Sequence, residues 1–231
     1  MKNKYLKSVT RYITNSTFYH YFNPQKSYSQ EGEDLVLNSF FEDYPRDYKG
    51  FYVDIGAYDP VRFSNTFFFY SKGWKGINIE PTYDKFKKLK QLRRRDINLN
   101  IAINNSSNNK KLNFYMFNEP ALNTFNEERA LELQLSSDKY KLKAVNAIEV
   151  TNLSELLNKY NCPGAIDFFN IDCEGVDLQV LEGNDWNKYK PDFIMIEDAN
   201  FDIDKIDQNE IFQFLKTKKY DLIAKTKRTT I

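Results

Sequence analysis

Strand-length apolar runs alternate with helix-length amphipathic segments, short loops join them, and several of the runs are apolar at successive positions. These three observations predict an α/β fold: a doubly wound, mostly parallel sheet covered on both faces by crossover helices. FYVDI (Phe51 to Ile55) reads as the first buried strand. SNTFFFYSK follows as a helix, with Ser64 as N-cap and Gly73 as the glycine just past its end. GINI (Gly76 to Ile79) is the second strand, Tyr83 to Arg94 the second helix and INLNIAI (Ile97 to Ile103) the third strand.

The texture then changes. NNSSNNKK (Asn104 to Lys111) is a turn, LNFYMF (Leu112 to Phe117) an alternating strand, and Glu119 to Asp138 a polar stretch, helical or irregular. AVNAIEV (Ala144 to Val150) reads as a strand, and Asn152 to Tyr160 as a helix begun by Thr151 or Asn152. This β-rich and helical insertion precedes the fourth core strand, IDFFNID (Ile166 to Asp172), after which VDLQVLEG (Val176 to Gly183) is a helix. DFIMIE (Asp192 to Glu197) suits a sheet interior, Glu210 to Lys218 is an amphipathic helix and YDLIAKT (Tyr220 to Thr226) a strand. The sequence stops at RTTI, where a last antiparallel strand would begin, so that strand is expected to be cut short.

Residues 27–231 are expected to form one domain, preceded by a helical extension over residues 1–26. In that extension Tyr5, Leu6, Val9, Tyr12 and Ile13 share a helical face. Such a face packs on its own domain or a second subunit, or rests peripherally on a membrane. The longest apolar runs fall far short of the ~20 residues that span a bilayer, and the first residues lack a secretory apolar core. A cytoplasmic location is predicted. Cys162 and Cys173 are too separate in context for a disulfide framework and are expected to be buried thiols. The net charge of +1 argues against a general nucleic-acid binder. KFKKLKQLRRR (Lys85 to Arg95) reads as a surface helix, its basic face solvated and Phe86, Leu89 and Leu92 forming its buried stripe.

The decisive stretch is GFYVDIGAYDPVRFSNT (Gly50 to Thr66). In an open parallel sheet, ligands sit at the carboxyl ends of the strands, near the point where strand order reverses. The first strand ends at Asp54-Ile55-Gly56 and the second at Glu80-Pro81, one strand–helix–strand length later, which places Glu80 to accept from two ribose hydroxyls. A dinucleotide needs G-x-G-x-x-G for its pyrophosphate, and only Gly56 is present. S-adenosylmethionine has no phosphate, and Asp54 and Asp59 suit its cationic groups. A strand end with a turn glycine is the plainer alternative. Tyr58 either covers the methionine end of such a cofactor or points toward an acceptor.

Further pieces extend the pattern: SYSQEGEDLVL (Ser27 to Leu37), GFYVDIGAYDPVRFSNTFFFYSKGWKGINIEP (Gly50 to Pro81), INLNIAI, LNTFNEE and DFFNIDCEGVDLQVLEGNDWNKYKPDFIMIE (Asp167 to Glu197). With these, the sequence resembles the FkbM family of S-adenosylmethionine-dependent methyltransferases over roughly residues 27 to 226. The resemblance implies a class I methyltransferase (Rossmann-like) fold, with Asp54, Gly56 and Ala57 along the methionine part of the cofactor and Glu80, beside Pro81, on its ribose. It also implies Asp96 or the Ala102 to Asn104 turn near adenine. The implied activity is O-methylation of a sugar hydroxyl in bacterial glycan synthesis. The acceptor, a sugar or glycan, is lipid-linked or free, and the site of action is the cytoplasm or the inner face of the membrane. A homo-oligomer is compatible with it. A non-catalytic cofactor-binding or scaffold domain and an NAD-dependent oxidoreductase are the competing readings.

A hydroxyl acceptor needs a group to take its proton. Asp172 and Glu174, directly after the strand FFNI and before Gly175, are the leading pair. They serve as base and orienter, or hold Mg²⁺ with help from Glu197, Asp198 or Asn200. SQEGED (Ser29 to Asp34) is either a helix-capping box or, as the resemblance implies, a place where Gln30 and Asp34 border the cleft. His20, the single histidine, lies far from every motif.

Overall fold

The structure is a computed structural model that describes residues 24–105, 110–119, 122–173, 175–198 and 201–231. The amphipathic face within residues 1–26, together with His20, Glu174 and Asn200, lies outside the described residues apart from residues 24–26.

The chain is mixed α/β. Helix α1 (Glu33–Ser39) leads into β1 (Phe51–Ile55), α2 (Phe67–Ser71), β2 (Lys75–Ile79), α3 (Tyr83–Leu92) and β3 (Ile97–Leu99). Then come β4 (Ala102–Ile103), β5 (Lys110–Phe117), α4 (Glu127–Ser136), β6 (Leu142–Thr151) and α5 (Leu153–Lys159). The last elements are β7 (Phe168–Ile171), α6 (Asp177–Glu182), β8 (Phe193–Glu197), a 3-10 turn at Ile203–Gln208, α7 (Glu210–Thr217) and β9 (Thr229–Thr230).

The main sheet has the order β3-β2-β1-β7-β8-β9, parallel throughout except for β9. Strand order reverses between β1 and β7, because β2 and β3 run outward on one side of β1 and the later strands on the other. One face packs Tyr52, Phe168 and Met195 against Leu37, Phe41, Phe68, Phe69 and Trp74, from α1, α2 and the segments that follow them. The other packs Val53, Ile55, Ile77, Ile79, Phe169 and Ile171 against Leu153, Leu156 and Leu157 of α5 and Val180 and Leu181 of α6. Burial on both faces explains why these strands read as nearly continuous apolar runs. A second sheet, β4-β6-β5, is the insertion before β7, with its own small core of Ala102, Phe114, Ile148 and Val150.

Four readings of the sequence need correction. INLNIAI is two strands in two sheets, because Asn100 donates from Nδ2 to the Glu80 and Pro81 carbonyls at 2.9 and 2.8 Å and turns the chain between them. Tyr220 to Thr226 is not a strand: Ile223 and Ala224 pair with Ile231, and Thr229–Thr230 takes the antiparallel place on β8. In α3 the buried stripe stops short, since Leu92 is 57% exposed whereas Arg93, read as part of the solvated basic face, is fully buried. Cys162 and Cys173 are free and half-buried.

Candidate cofactor and catalytic site

Backbone register builds the site. Ile79, Ile55 and Ile171 are paired at one level across β2, β1 and β7, and Ile196 of β8 continues the row. The next residue on each strand is Glu80, Gly56, Asp172 and Glu197. One side of the sheet's carboxyl end therefore carries three acids and a glycine at neighbouring strand tips, beside the reversal point.

Gly56 has φ +83, and a Cβ there would come within 1.8 Å of the Asp172 carbonyl oxygen. A side chain is excluded on both counts. Gly56 and Ala57 donate from their amides to the Ile79 carbonyl at 3.0 and 3.1 Å, which folds the loop back over β2. Glu80 is nearly buried, and its Oε2 accepts from the Tyr58 amide at 2.9 Å and its Oε1 from the Thr82 amide at 2.6 Å. Each oxygen keeps a further lone pair. Burial holds the Glu80 carboxyl above its ordinary range, against the pull of those amides and of Lys85. Tyr58 sits at φ 49 with its ring partly exposed and the Lys85 ammonium 3.6 Å from the ring centroid. Its side chain therefore meets the first turn of α3.

Asp172 donates from its amide to the Ile55 carbonyl at 2.9 Å, which seats it against Gly56. The turn that follows is clamped by Asp177, a residue the sequence reading passed over. Its buried carboxylate accepts from the Cys173 amide at 2.8 Å and the Gly175 amide at 3.0 Å. An acid at the first position of a helix was the available signal. Asn100, which fixes the Glu80-Pro81 turn, was also passed over, since nothing in an Asn inside a strand-like run marks its partner.

Several expected ligand residues are elsewhere. Asp54 lies beneath the loop rather than in it: Oδ2 accepts from Thr66 Oγ1 at 2.6 Å and Oδ1 from Asn170 Nδ2 at 2.8 Å. It is 2% exposed, and that burial raises its carboxyl above the ordinary value. Asp96 is internal, with Oδ1 accepting from the Gly76 amide and Oδ2 from Tyr52, Asn78 and Arg93. Asp34 is fully buried, and its oxygens accept from Ser27, Tyr28, Ser29 and Leu35, so it shapes a turn instead of bordering a cleft. Ser29 Oγ accepts from the Gly32 amide at 3.1 Å, but the N-cap of α1 is Gly32 itself, with no side-chain cap, so Ser29 shapes the preceding turn and the expected capping box does not form, and Gln30 is exposed. Asp59 uses Oδ1 to accept from the Val61 and Arg62 amides at 3.1 and 2.9 Å and so rounds the loop.

The metal expectation gains no support from the described residues, and two of its members, Glu174 and Asn200, lie outside them. Among the described residues no three His, Cys, Asp or Glu side chains gather as an ion requires. Glu197 lies near Arg228 at 3.9 Å, and Asp198 Oδ2 accepts from Asn209 at 2.6 Å. No helix among the described residues is long and apolar enough to cross a membrane.

A mostly parallel sheet with acids and one tightly packed glycine at its reversal point is the frame of a ligand-binding α/β protein. A family model described as the methyltransferase FkbM domain matches residues 54–222, which makes the chain a methyltransferase by class. It belongs to the FkbM methyltransferase family. Comparison with curated proteins returns no match, and neither does comparison with solved structures.

Proposed function

We propose that this chain is an S-adenosylmethionine-dependent O-methyltransferase of class I, Rossmann-like architecture, acting on a sugar hydroxyl of a bacterial surface glycan. The observation that carries the cofactor reading is the level row of Glu80, Gly56 and Asp172. Its acids suit a cation, and its single close-approach glycine suits a ligand without pyrophosphate. The residues fit the group: the free lone pairs of Glu80 would accept from two ribose hydroxyls, and Gly56 would admit the methionine part. Pro81 borders the ribose side, while Asp54 supports the loop from behind. The acceptor rests on family membership alone.

When bound, S-adenosylmethionine supplies a methyl carbon made electrophilic by its sulfonium. The chain's own contribution is alignment, holding an acceptor oxygen about 3 to 3.5 Å from that carbon. Asp172, paired in the sequence with Glu174, takes the proton of the acceptor hydroxyl. The reaction takes place in the cytoplasm or at the inner face of the membrane, on a free or lipid-linked sugar.

Calorimetry with S-adenosylmethionine and with NAD is expected to give binding of the first and none of the second. Formation of S-adenosylhomocysteine with candidate glycan acceptors is the test of turnover, and a D172N/E174Q chain is expected to lose it. Tight binding with no turnover on any glycan would favour a cofactor-binding scaffold instead.

A further inference from the structure

We propose that Arg93 is a positioning residue for the cofactor loop: its buried guanidinium fixes residues 56–66 from behind, and cofactor affinity depends on that fixing. The identity of the cofactor rests on the function proposed above; the loop's dependence on Arg93 does not.

Arg93 sits just after α3 with no solvent exposure. Buried arginines are rare unless every donor finds a partner. Here Nε donates to Asp96 Oδ2 at 2.9 Å, and Nη2 to Tyr52 Oη at 2.6 Å and Thr66 Oγ1 at 2.9 Å. Nη1 donates to the Pro60 carbonyl at 3.1 Å and Ser64 Oγ at 3.4 Å. Three of these acceptors, Pro60, Ser64 and Thr66, belong to the loop.

The loop needs such support. Tyr58 and Phe63, either side of Pro60, lie at φ 49 and 59, in the left-handed region that aromatic residues rarely occupy. Backbone of that kind persists when its surroundings over-determine it. From the front, Glu80 holds the Tyr58 amide and Asp59 the Val61 and Arg62 amides. The Ser64 amide donates to the Tyr28 carbonyl at 3.1 Å. Arg93 reaches the Pro60 carbonyl between the two strained residues, and it does so from the end of a different crossover. Thr66 carries the connection onward to Asp54, and Asp54 to Asn170 of β7. A planar fork with five donors makes this set of contacts, which a lysine's single ammonium does not reproduce.

The test is hydrogen exchange at the Tyr58, Val61, Arg62 and Ser64 amides in wild type, R93K, S64A and T66V, with calorimetry of S-adenosylhomocysteine on the same samples. R93K is expected to speed exchange at those amides at least tenfold while β7 and β8 keep their protection, and to weaken S-adenosylhomocysteine binding at least tenfold. S64A and T66V are expected to act in the same direction, more weakly. Unchanged loop exchange in folded variants, or a rise spread evenly through the sheet, would overturn the proposal. Should R93K fail to fold, S64A and T66V decide the question by the same comparison. A wild-type chain that does not bind S-adenosylhomocysteine sinks the cofactor reading, and the loop amides still decide the role of Arg93.

Discussion

Glu80 holds the loop with the same carboxylate that the proposed function assigns to the cofactor. Its oxygens hold the Tyr58 and Thr82 amides, and the proposed function adds the ribose hydroxyls of the cofactor to them. In E80Q one oxygen becomes a donor that faces a backbone N–H, and charge-assisted bonds weaken. Cofactor affinity is expected to fall about 10- to 100-fold, consistent with the roughly 1.5–3 kcal/mol of a charged hydrogen bond, as read by calorimetry. Burial holds Glu80, Asp54 and Asp177 above their ordinary carboxyl values. Two slopes of opposite sign follow. Affinity needs ionised Glu80, so it is full above the raised value and falls, by at most about tenfold per pH unit for one group, as pH drops through it. An acid raised in the folded state binds its proton more tightly there than in the unfolded chain. These three groups therefore lose stability as pH rises from the ordinary carboxyl range to their raised values. Thermal scans and calorimetry over one mildly acidic pH series are expected to show their contributions to Tm and to affinity moving in opposite directions. Residue type alone showed that Glu80, Gly56 and Asp172 stand at strand tips. It did not show that Asp54 and Asp96 turn inward, because that depends on which face of the sheet receives the arginine.

The turn from β7 into α6 is short and its shape comes from one side chain. Asp177 holds the amides of Cys173 and Gly175, and Gly175 adopts φ +95. D177N leaves an amide that accepts at one oxygen only and sets an N–H₂ against the other backbone donor. The expected result is a loss of about 1–3 kcal/mol in stability, together with a kcat at least tenfold lower and a smaller change in the KM for cofactor. Initial rates and thermal unfolding check the two effects. At this scale the alternation of strands and helices was legible, because burial on both faces leaves an apolar run that is hard to mistake. The break at Asn100 and the non-strand stretch from Tyr220 were not. The first depends on carbonyls twenty residues earlier in the chain, the second on pairing with Ile231.

Across the molecule, the beginning and end of the described chain are tied together beside the strand tips. Glu33 Oε1 accepts from Thr226 and Thr229 at 3.3 and 3.4 Å, Glu31 Oε2 accepts from the Arg228 amide at 3.0 Å, and Arg228 reaches Glu197. E33A leaves the buried Thr229 hydroxyl without its Glu33 acceptor and the half-buried Thr226 hydroxyl with the Thr229 carbonyl at 3.4 Å alone. It is expected to cost about 1–3 kcal/mol of stability, measured as a lower denaturant midpoint, while cofactor affinity changes little, since Glu80 and Gly56 lie across the sheet. None of these ties was legible, because those made by Glu31 and Glu33 join segments almost two hundred residues apart, and each residue reads locally as part of a cap or a turn. The polar residues paired across the sheet, Asn98, Asn78, Asp54 and Asn170, reach further than the site above them. Aliphatic strands can slide past one another at modest cost, since one isoleucine replaces another. A strand displaced here would bury an amide or a carboxyl against hydrocarbon. Such a row penalises misregistered sheets, and the level strand tips are what the correct register leaves.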